Sequence, residues 1–167
     1  MINTIENISE NMNYLTKVML ATSAIITATS VMADSARSLD HAQNATDNRK
    51  AVFSLLGSNM GPLGAMAKGK IPLDAKTVEK NAERINQLSL MIADYTKTDT
   101  SGFKVKTEAL DKIWQEPKAF AKRINALSEA SAHLQLAAKS ADESAIKQAI
   151  AGVGKSCGGC HDDYKAD

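Results

Sequence analysis

The chain has 167 residues, and its 20 Lys and Arg against 19 Asp and Glu give a formal net charge of +1. This near balance argues against binding to a nucleic-acid backbone, which requires a concentrated basic surface. Aromatic residues make up only 4% of the chain, which disfavours an all-β fold. Two cysteines are too few for a scaffold held together by disulfides. Composition therefore predicts a soluble, mostly helical protein of one domain.

The first 33 residues have the pattern of a secretory signal peptide. Residues 18–28 form an uncharged, mostly apolar run, and small residues lead to a cleavage position after Ala33. The run is too short to cross a bilayer, which takes about 20 apolar residues. Two acidic residues near the chain start are unusual in such signals, and a start at Met12 would remove both. We expect residues 1–33 to be cleaved and residues 34–167 to be exported without a membrane segment.

Apolar residues then recur at steps of three and four in four segments, which is the period of an amphipathic helix. Gly61 and Pro62 interrupt the first segment, Asp74 is the expected N-cap of the second, and Pro117 suits the first turn of the third. Four helices with one apolar stripe each bury these stripes most simply in an antiparallel four-helix bundle. The predicted segments cover residues 34–60, 73–95, 117–138 and 142–164.

The last predicted helix carries Cys157-Gly-Gly-Cys160-His161, the attachment signature for c-type haem. Two thiols add to the two vinyl groups of the macrocycle, and the adjoining imidazole reaches the iron. On a helix of 3.6 residues per turn, Cys160 lies about 60° to one side of Cys157 and His161 about 40° to the other. All three share one face, so we expect one covalently bound haem c with His161 as an axial iron ligand.

Other interpretations of the motif fit less well. A thioredoxin-type pair follows a strand, whereas this pair ends a helical chain. A zinc site needs four ligands, and only His41 and His133 remain besides the motif. A plain disulfide would not require the histidine. His41 and His133 lie away from the apolar stripes, and we interpret both as solvated.

A Cys-x-x-Cys-His motif on the last helix of a four-helix chain resembles the cytochrome c′ family. Three stretches carry the resemblance: Arg49-Lys-Ala-Val-Phe53, the region from Thr107 through Trp114 to Phe120, and Cys157-Gly-Gly-Cys-His-Asp-Asp-Tyr164. The resemblance implies that Arg49 holds a haem propionate and that Lys50, Thr107 and Glu108 lie at the haem edge. It also implies a homodimer formed through the first two helices.

The residue at position 53 indicates which branch of the family the chain resembles. Low-spin relatives similar to cytochrome c556 have Met there and bind iron on both sides, whereas high-spin members have an apolar side chain. Phe53 cannot bind iron, so the resemblance implies a five-coordinate iron. Met60 and Met66 are further methionines but do not match the position. Lys165 stands where the family usually has Arg beside the proximal face, and Lys lacks the planar fork of a guanidinium.

These residues favour one of three functions. The favoured one is a periplasmic protein that binds small gases, nitric oxide or CO, and is able to exchange one electron. The alternative is a dedicated low-spin electron-transfer cytochrome with an unidentified redox partner. An enzyme such as a peroxidase is disfavoured, because no His and Arg pair near Phe53 is available to polarise a peroxide.

Overall fold

The computed structural model describes residues 34–140 and 142–166, so the predicted signal peptide and the choice of start codon lie outside the described residues. The described part is mainly helical, with a pair of two-residue strands. Among the described residues, no helix is both long and apolar enough to cross a membrane. In chain order the elements are β1 Asp34–Ser35, α1 Leu39–Ala67, α2 Ala75–Thr96, β2 Thr98–Asp99, α3 Lys112–Gln115, α4 Pro117–Ser140 and α5 Glu143–Tyr164.

The helix starts follow their capping residues. The Asp74 carboxylate accepts hydrogen bonds from the backbone N–H groups of Lys76 and Thr77, as predicted for an N-cap. Asp142 caps α5 in the same way. Pro117 is the first residue of α4, where its missing N–H costs no intrahelical bond. These local signals set the helix starts within one or two residues of the predicted positions.

The prediction that Gly61 and Pro62 end the first helix is wrong. Helix α1 continues through Pro62 to Ala67, because Leu63 and Met66 beyond the proline are buried and their packing keeps this turn helical. The helix ends where Gly69 adopts a φ of +68°, and the N–H groups of the next residues bond back to carbonyls of the last turn.

The four long helices form an antiparallel bundle. The α1–α2 and α4–α5 connections are short, which makes those pairs antiparallel neighbours. The indole N–H of Trp114 donates to the Thr96 carbonyl at 2.8 Å, so α4 begins beside the end of α2. Asn86 donates to the Ser128 carbonyl at 2.9 Å halfway along both helices. Helices α1 and α5 pack against each other less extensively than the other neighbouring pairs of long helices.

The predicted apolar stripes form the core. The stripe positions of α2, α4 and α5 are buried or half-buried, whereas Leu55 of α1 is 52% exposed. The fully or nearly fully buried apolar side chains include Leu63, Val78, Ala82, Ile85, Leu134, Ile146, Ile150 and Val153.

The segment between α2 and α4 crosses the end of the bundle. The start of this segment contributes β2, which pairs in parallel with β1 and ties the chain before α1 to the end of α2. At its other end, the Leu110 N–H donates to the Tyr164 carbonyl and the Ala166 N–H donates to the Glu108 carbonyl. This crossover therefore closes the end of the bundle at which α5 finishes.

Candidate haem site

The five residues of the Cys-x-x-Cys-His motif all lie within the last two turns of α5, as predicted. Cys157 and Cys160 are free, half-buried thiols packed against the core, and His161 is exposed. The motif continues the buried face formed by Ile150 and Val153. The two thiols therefore border the core, and the imidazole lies at its edge.

The thiols lie in an apolar setting, which is reflected in their acidity. Burial raises the pKa of Cys157 and of Cys160. At Cys160 the guanidinium of Arg123 opposes this rise. Both sulfur atoms are therefore held as neutral thiols on an apolar wall, an environment suited to the edge of a large hydrophobic ring.

Helix α1 supplies the opposite wall. Met60 Cε lies 3.8 Å from the position that a Cβ on Gly154 would occupy, which aligns these two points of α1 and α5. The two helices run antiparallel, so residues that precede Met60 on α1 lie towards the end of α5 that carries the motif. Phe53 precedes Met60 by seven residues, about 10 Å along the helix axis, and is half-buried against the core.

Arg49 lies one turn before Phe53 on the same stripe of α1 and is only 2% exposed. Its Nη2 donates to the hydroxyl oxygens of Thr46 and Thr100, each at 3.3 Å. Among the described residues its Nε and Nη1 atoms have no hydrogen-bond partner. The Trp114 ring lies 5.2 Å from the guanidinium carbon. Burial lowers the pKa of Arg49, as expected for a cation removed from water without a counter-charge.

A buried guanidinium with two unpartnered donors requires an anionic partner. The residues present fit a haem with carboxylate side chains. Cys157 and Cys160 could hold it covalently, His161 could bind its iron, and Arg49 could receive a propionate. Cys157, Cys160 and His161 lie together near the end of α5. Arg49 and Phe53 lie one turn apart on α1, and their predicted contact with the haem stays a prediction.

The other predicted haem-edge residues lie further out. Lys50 is exposed on α1. Thr107 is half-buried, and its hydroxyl oxygen accepts a bond from the Ala109 N–H at 3.1 Å. Glu108 is exposed and forms a salt bridge with Lys165 at 3.2 Å. The structure does not gather these residues around Arg49, and their predicted contact with the haem stays a prediction.

The end of α5 is held on the side facing α4. The guanidinium of Arg123 forms a salt bridge with Asp163 at 2.6 Å and lies 3.1 Å from where a Cβ on Gly159 would stand. Tyr164 packs edge-on against Phe120, with ring centroids 5.0 Å apart. These contacts fix the helical turn that follows His161.

The remaining histidines lie away from the motif. His41 is in the first turn of α1, where its Nδ1 accepts a bond from the Arg37 N–H at 3.2 Å. His133 is exposed on α4. Within residues 34–140 and 142–166, no group of three or more His, Cys, Asp or Glu is placed to hold a metal ion.

Three residues of the Arg49 environment escaped prediction: Thr46, Thr100 and Trp114. Thr46 was visible in principle, because it precedes Arg49 by three positions and therefore faces the same way on a helix. Thr100 and Trp114 come from the crossover, 51 and 65 positions later in the chain. No periodicity links them to α1, so only the folded structure reveals this cluster.

An antiparallel four-helix bundle with a Cys-x-x-Cys-His motif near the end of its last helix defines a class of c-type cytochrome. The family model described as Cytochrome C' matches residues 44–165. The chain belongs to the cytochrome c′ family.

Individual relatives agree with this assignment. The chain is 36% identical over 152 residues to cytochrome c' of Cereibacter sphaeroides, covering 89% of this chain and 97% of that protein. It is also 31% identical over 148 residues to cytochrome c-554 of the same organism, covering 87% and 94%.

Solved structures agree as well. Cytochrome c prime from Shewanella frigidimarina is 42% identical, with a TM-score of 0.69 and coverage of 75% of this chain and 97% of that one. A nitric oxide complex of a mutant cytochrome c prime from Alcaligenes xylosoxidans is 26% identical, with a TM-score of 0.66 and coverage of 75% of this chain and 96% of that one.

Membership of the family also identifies the prosthetic group. Cytochromes c′ bind a single covalently attached haem c, and the two cysteines that this attachment requires are present here. The family consists of haem proteins of electron transfer and gas binding rather than of classical enzymes. The chain is accordingly a mono-haem c-type cytochrome.

Proposed function

We propose that this protein is a periplasmic cytochrome whose iron has His161 as its one protein ligand and binds nitric oxide or CO on the opposite side. The haem supplies an iron that binds diatomic gases and exchanges one electron. The observation that carries the proposal is that Phe53, on the facing helix α1, is half-buried against the core. Its side chain has no ligand atom, and Met60 lies about two turns away along α1.

Each site residue has a defined task in this proposal. Cys157 and Cys160 form the two thioether bonds, and His161 binds the iron from α5. Arg49 pairs with a propionate through the donors that have no protein partner. Lys50, Thr107 and Glu108 are proposed at the haem edge on the family resemblance alone.

Phe53 sets the selectivity among gases. An apolar aromatic wall gives bound O₂ no hydrogen-bond donor and crowds CO. Nitric oxide binds iron tightly enough to overcome such crowding. In support, the related protein from Alcaligenes xylosoxidans has been captured as a nitric oxide complex.

The test is the absorption spectrum of the purified protein in the oxidised, reduced, and reduced plus CO or nitric oxide states. We expect high-spin spectra in both oxidation states and a large change on adding nitric oxide. A low-spin spectrum with a methionine–iron charge-transfer band, unchanged by either gas, would overturn the proposal. The protein would then be the alternative, a dedicated electron-transfer cytochrome.

We also propose export to the periplasm by cleavage after Ala33. N-terminal sequencing of the protein isolated from a periplasmic fraction is expected to begin at Asp34. An intact N-terminus, or protein retained in the cytoplasm without haem, would contradict this part of the proposal.

A homodimer through α1 and α2 is the remaining expectation. Exposed apolar side chains on these two helices support it: Leu55 is 52% exposed and Leu90 is 57% exposed. Sedimentation of Leu55→Lys is expected to show monomers where the unmodified protein forms dimers. Leu136→Lys is the matched control, because Leu136 is 66% exposed but lies on α4. Dimers that persist in Leu55→Lys would exclude this part of α1 from the interface.

A further inference from the structure

Trp114 is the aromatic side chain closest to the buried cation of the site. It lies on the short helix α3 within the crossover and is half-buried. Its indole N–H donates to the Thr96 carbonyl at 2.8 Å, which fixes the orientation of the ring at the end of α2. The ring in turn stands 5.2 Å from the Arg49 guanidinium carbon. The crossover therefore places the Trp114 indole, in a fixed orientation, beside Arg49 of α1.

The Trp114 ring provides Arg49 with a partner that the rest of the site does not supply. Arg49 is 2% exposed, and among the described residues its hydrogen bonds are limited to two at 3.3 Å, both from Nη2 to threonine hydroxyls. A tryptophan face is the strongest aromatic partner for a cation, and the attraction grows when water is excluded. Contact with the ring face uses none of the N–H groups, so Nε and Nη1 stay available to a carboxylate.

We propose that Trp114 is a positioning residue of the haem site: it holds Arg49 in place for the propionate and thereby raises the reduction potential. This inference rests on the proposed pairing of Arg49 with a propionate. A buried cation beside the propionate offsets its negative charge, and an uncompensated negative charge favours the ferric iron. Loss of the indole lets the guanidinium move away and so lowers the potential.

The experiment is a double-mutant cycle on the haem-loaded protein, with the reduction potential measured by spectroelectrochemical titration. Arg49→Gln is expected to lower the ferrous-to-ferric ratio at a fixed applied potential about tenfold. This corresponds to a fall of about 59 mV in the reduction potential of a one-electron couple. Trp114→Leu is expected to shift the potential in the same direction by less. Trp114→Phe, which keeps an aromatic face but loses the bond to Thr96, is expected to stay near the unmodified value.

The decisive comparison is Trp114→Leu in the Arg49→Gln background, where we expect no further shift. An equal shift in both backgrounds, or no shift from Trp114→Leu alone, would overturn the positioning role of Trp114. An unchanged potential in Arg49→Gln would instead show that the proposed propionate pairing is wrong. If Trp114→Leu does not load with haem, Trp114→Met fills a similar volume without an aromatic face and takes its place in the cycle.

Discussion

Replacing Arg49 by methionine is expected to have different effects on the haem-loaded and the unloaded chain. In the loaded protein the substitution removes the proposed partner of a haem propionate. In the unloaded chain, obtained as Cys157→Ser with Cys160→Ser, it removes a cation that is 2% exposed and has two unpartnered donors. Methionine fills similar space without a charge, so packing changes little in either form.

The size of each effect follows from these contacts. Removing one partner of a buried ion pair costs about 3–5 kcal/mol, because the other charge stays buried alone. In the unloaded chain, two unsatisfied donors cost about 1–3 kcal/mol each. The two hydrogen bonds to Thr46 and Thr100 are long, at 3.3 Å, and offset this only in part. We therefore expect a loss of about 4 kcal/mol in the loaded protein, and no loss or a gain in stability in the unloaded chain.

Urea unfolding followed by circular dichroism measures both values. With a slope of about 2 kcal/mol/M, the loaded variant should unfold about 2 M earlier than its parent. The unloaded variant should unfold at the same urea concentration as the unloaded parent or at a higher one, with sucrose added to both if the transition begins too early. Equal losses in the loaded and unloaded forms would refute the reasoning, because Arg49 would then act through protein contacts alone.

Three further outcomes are expected. Phe53→Ala should raise the affinity for CO, measured by titrating the reduced protein, and an unchanged affinity would remove Phe53 from the account of gas selection. Gly158→Ala meets open space and should raise the urea midpoint, because alanine favours a helix; Gly159→Ala should raise it less, because its methyl group lies 3.1 Å from the Arg123 guanidinium and must displace it, and equal midpoints would contradict this. Burial raises the pKa of Tyr164, so its stabilising effect is complete below about pH 10 and is lost as the pH rises through the folded-state pKa. Urea midpoints measured from pH 9 to 11 should fall for the unmodified protein and fall less for Tyr164→Phe, and parallel curves would contradict this.

Most of the fold could be predicted because its determinants are local. The caps Asp74 and Asp142 and the N-terminal Pro117 act within one helical turn, and the apolar stripes repeat along each helix. The prediction at Pro62 was wrong for the opposite reason. Burial of Leu63 in the core maintains the helix beyond the proline, and this tertiary packing cannot be inferred from the local sequence pattern.

The site was predictable to a similar extent. The motif on α5 is a local signal and was located within its helix as expected. The buried state of Arg49 and its contacts with Thr100 and Trp114 depend on how the crossover closes the bundle. The pairing of Glu108 with Lys165 likewise depends on the meeting of the crossover and the end of α5. These tertiary contacts join segments about 50 or more positions apart, which no periodicity in one sequence encodes.

The location of the haem anchor on α5 has a consequence for biosynthesis. Ribosomes and export channels deliver a chain from its N-terminus, so α1, α2 and α4 are all made before Cys157 and Cys160. A chain interrupted between Arg49 and Cys157 contains the arginine but lacks both cysteines to which haem is attached. Haem content therefore reports whether synthesis passed beyond residue 160, and truncated products are colourless as well as poorly stabilised.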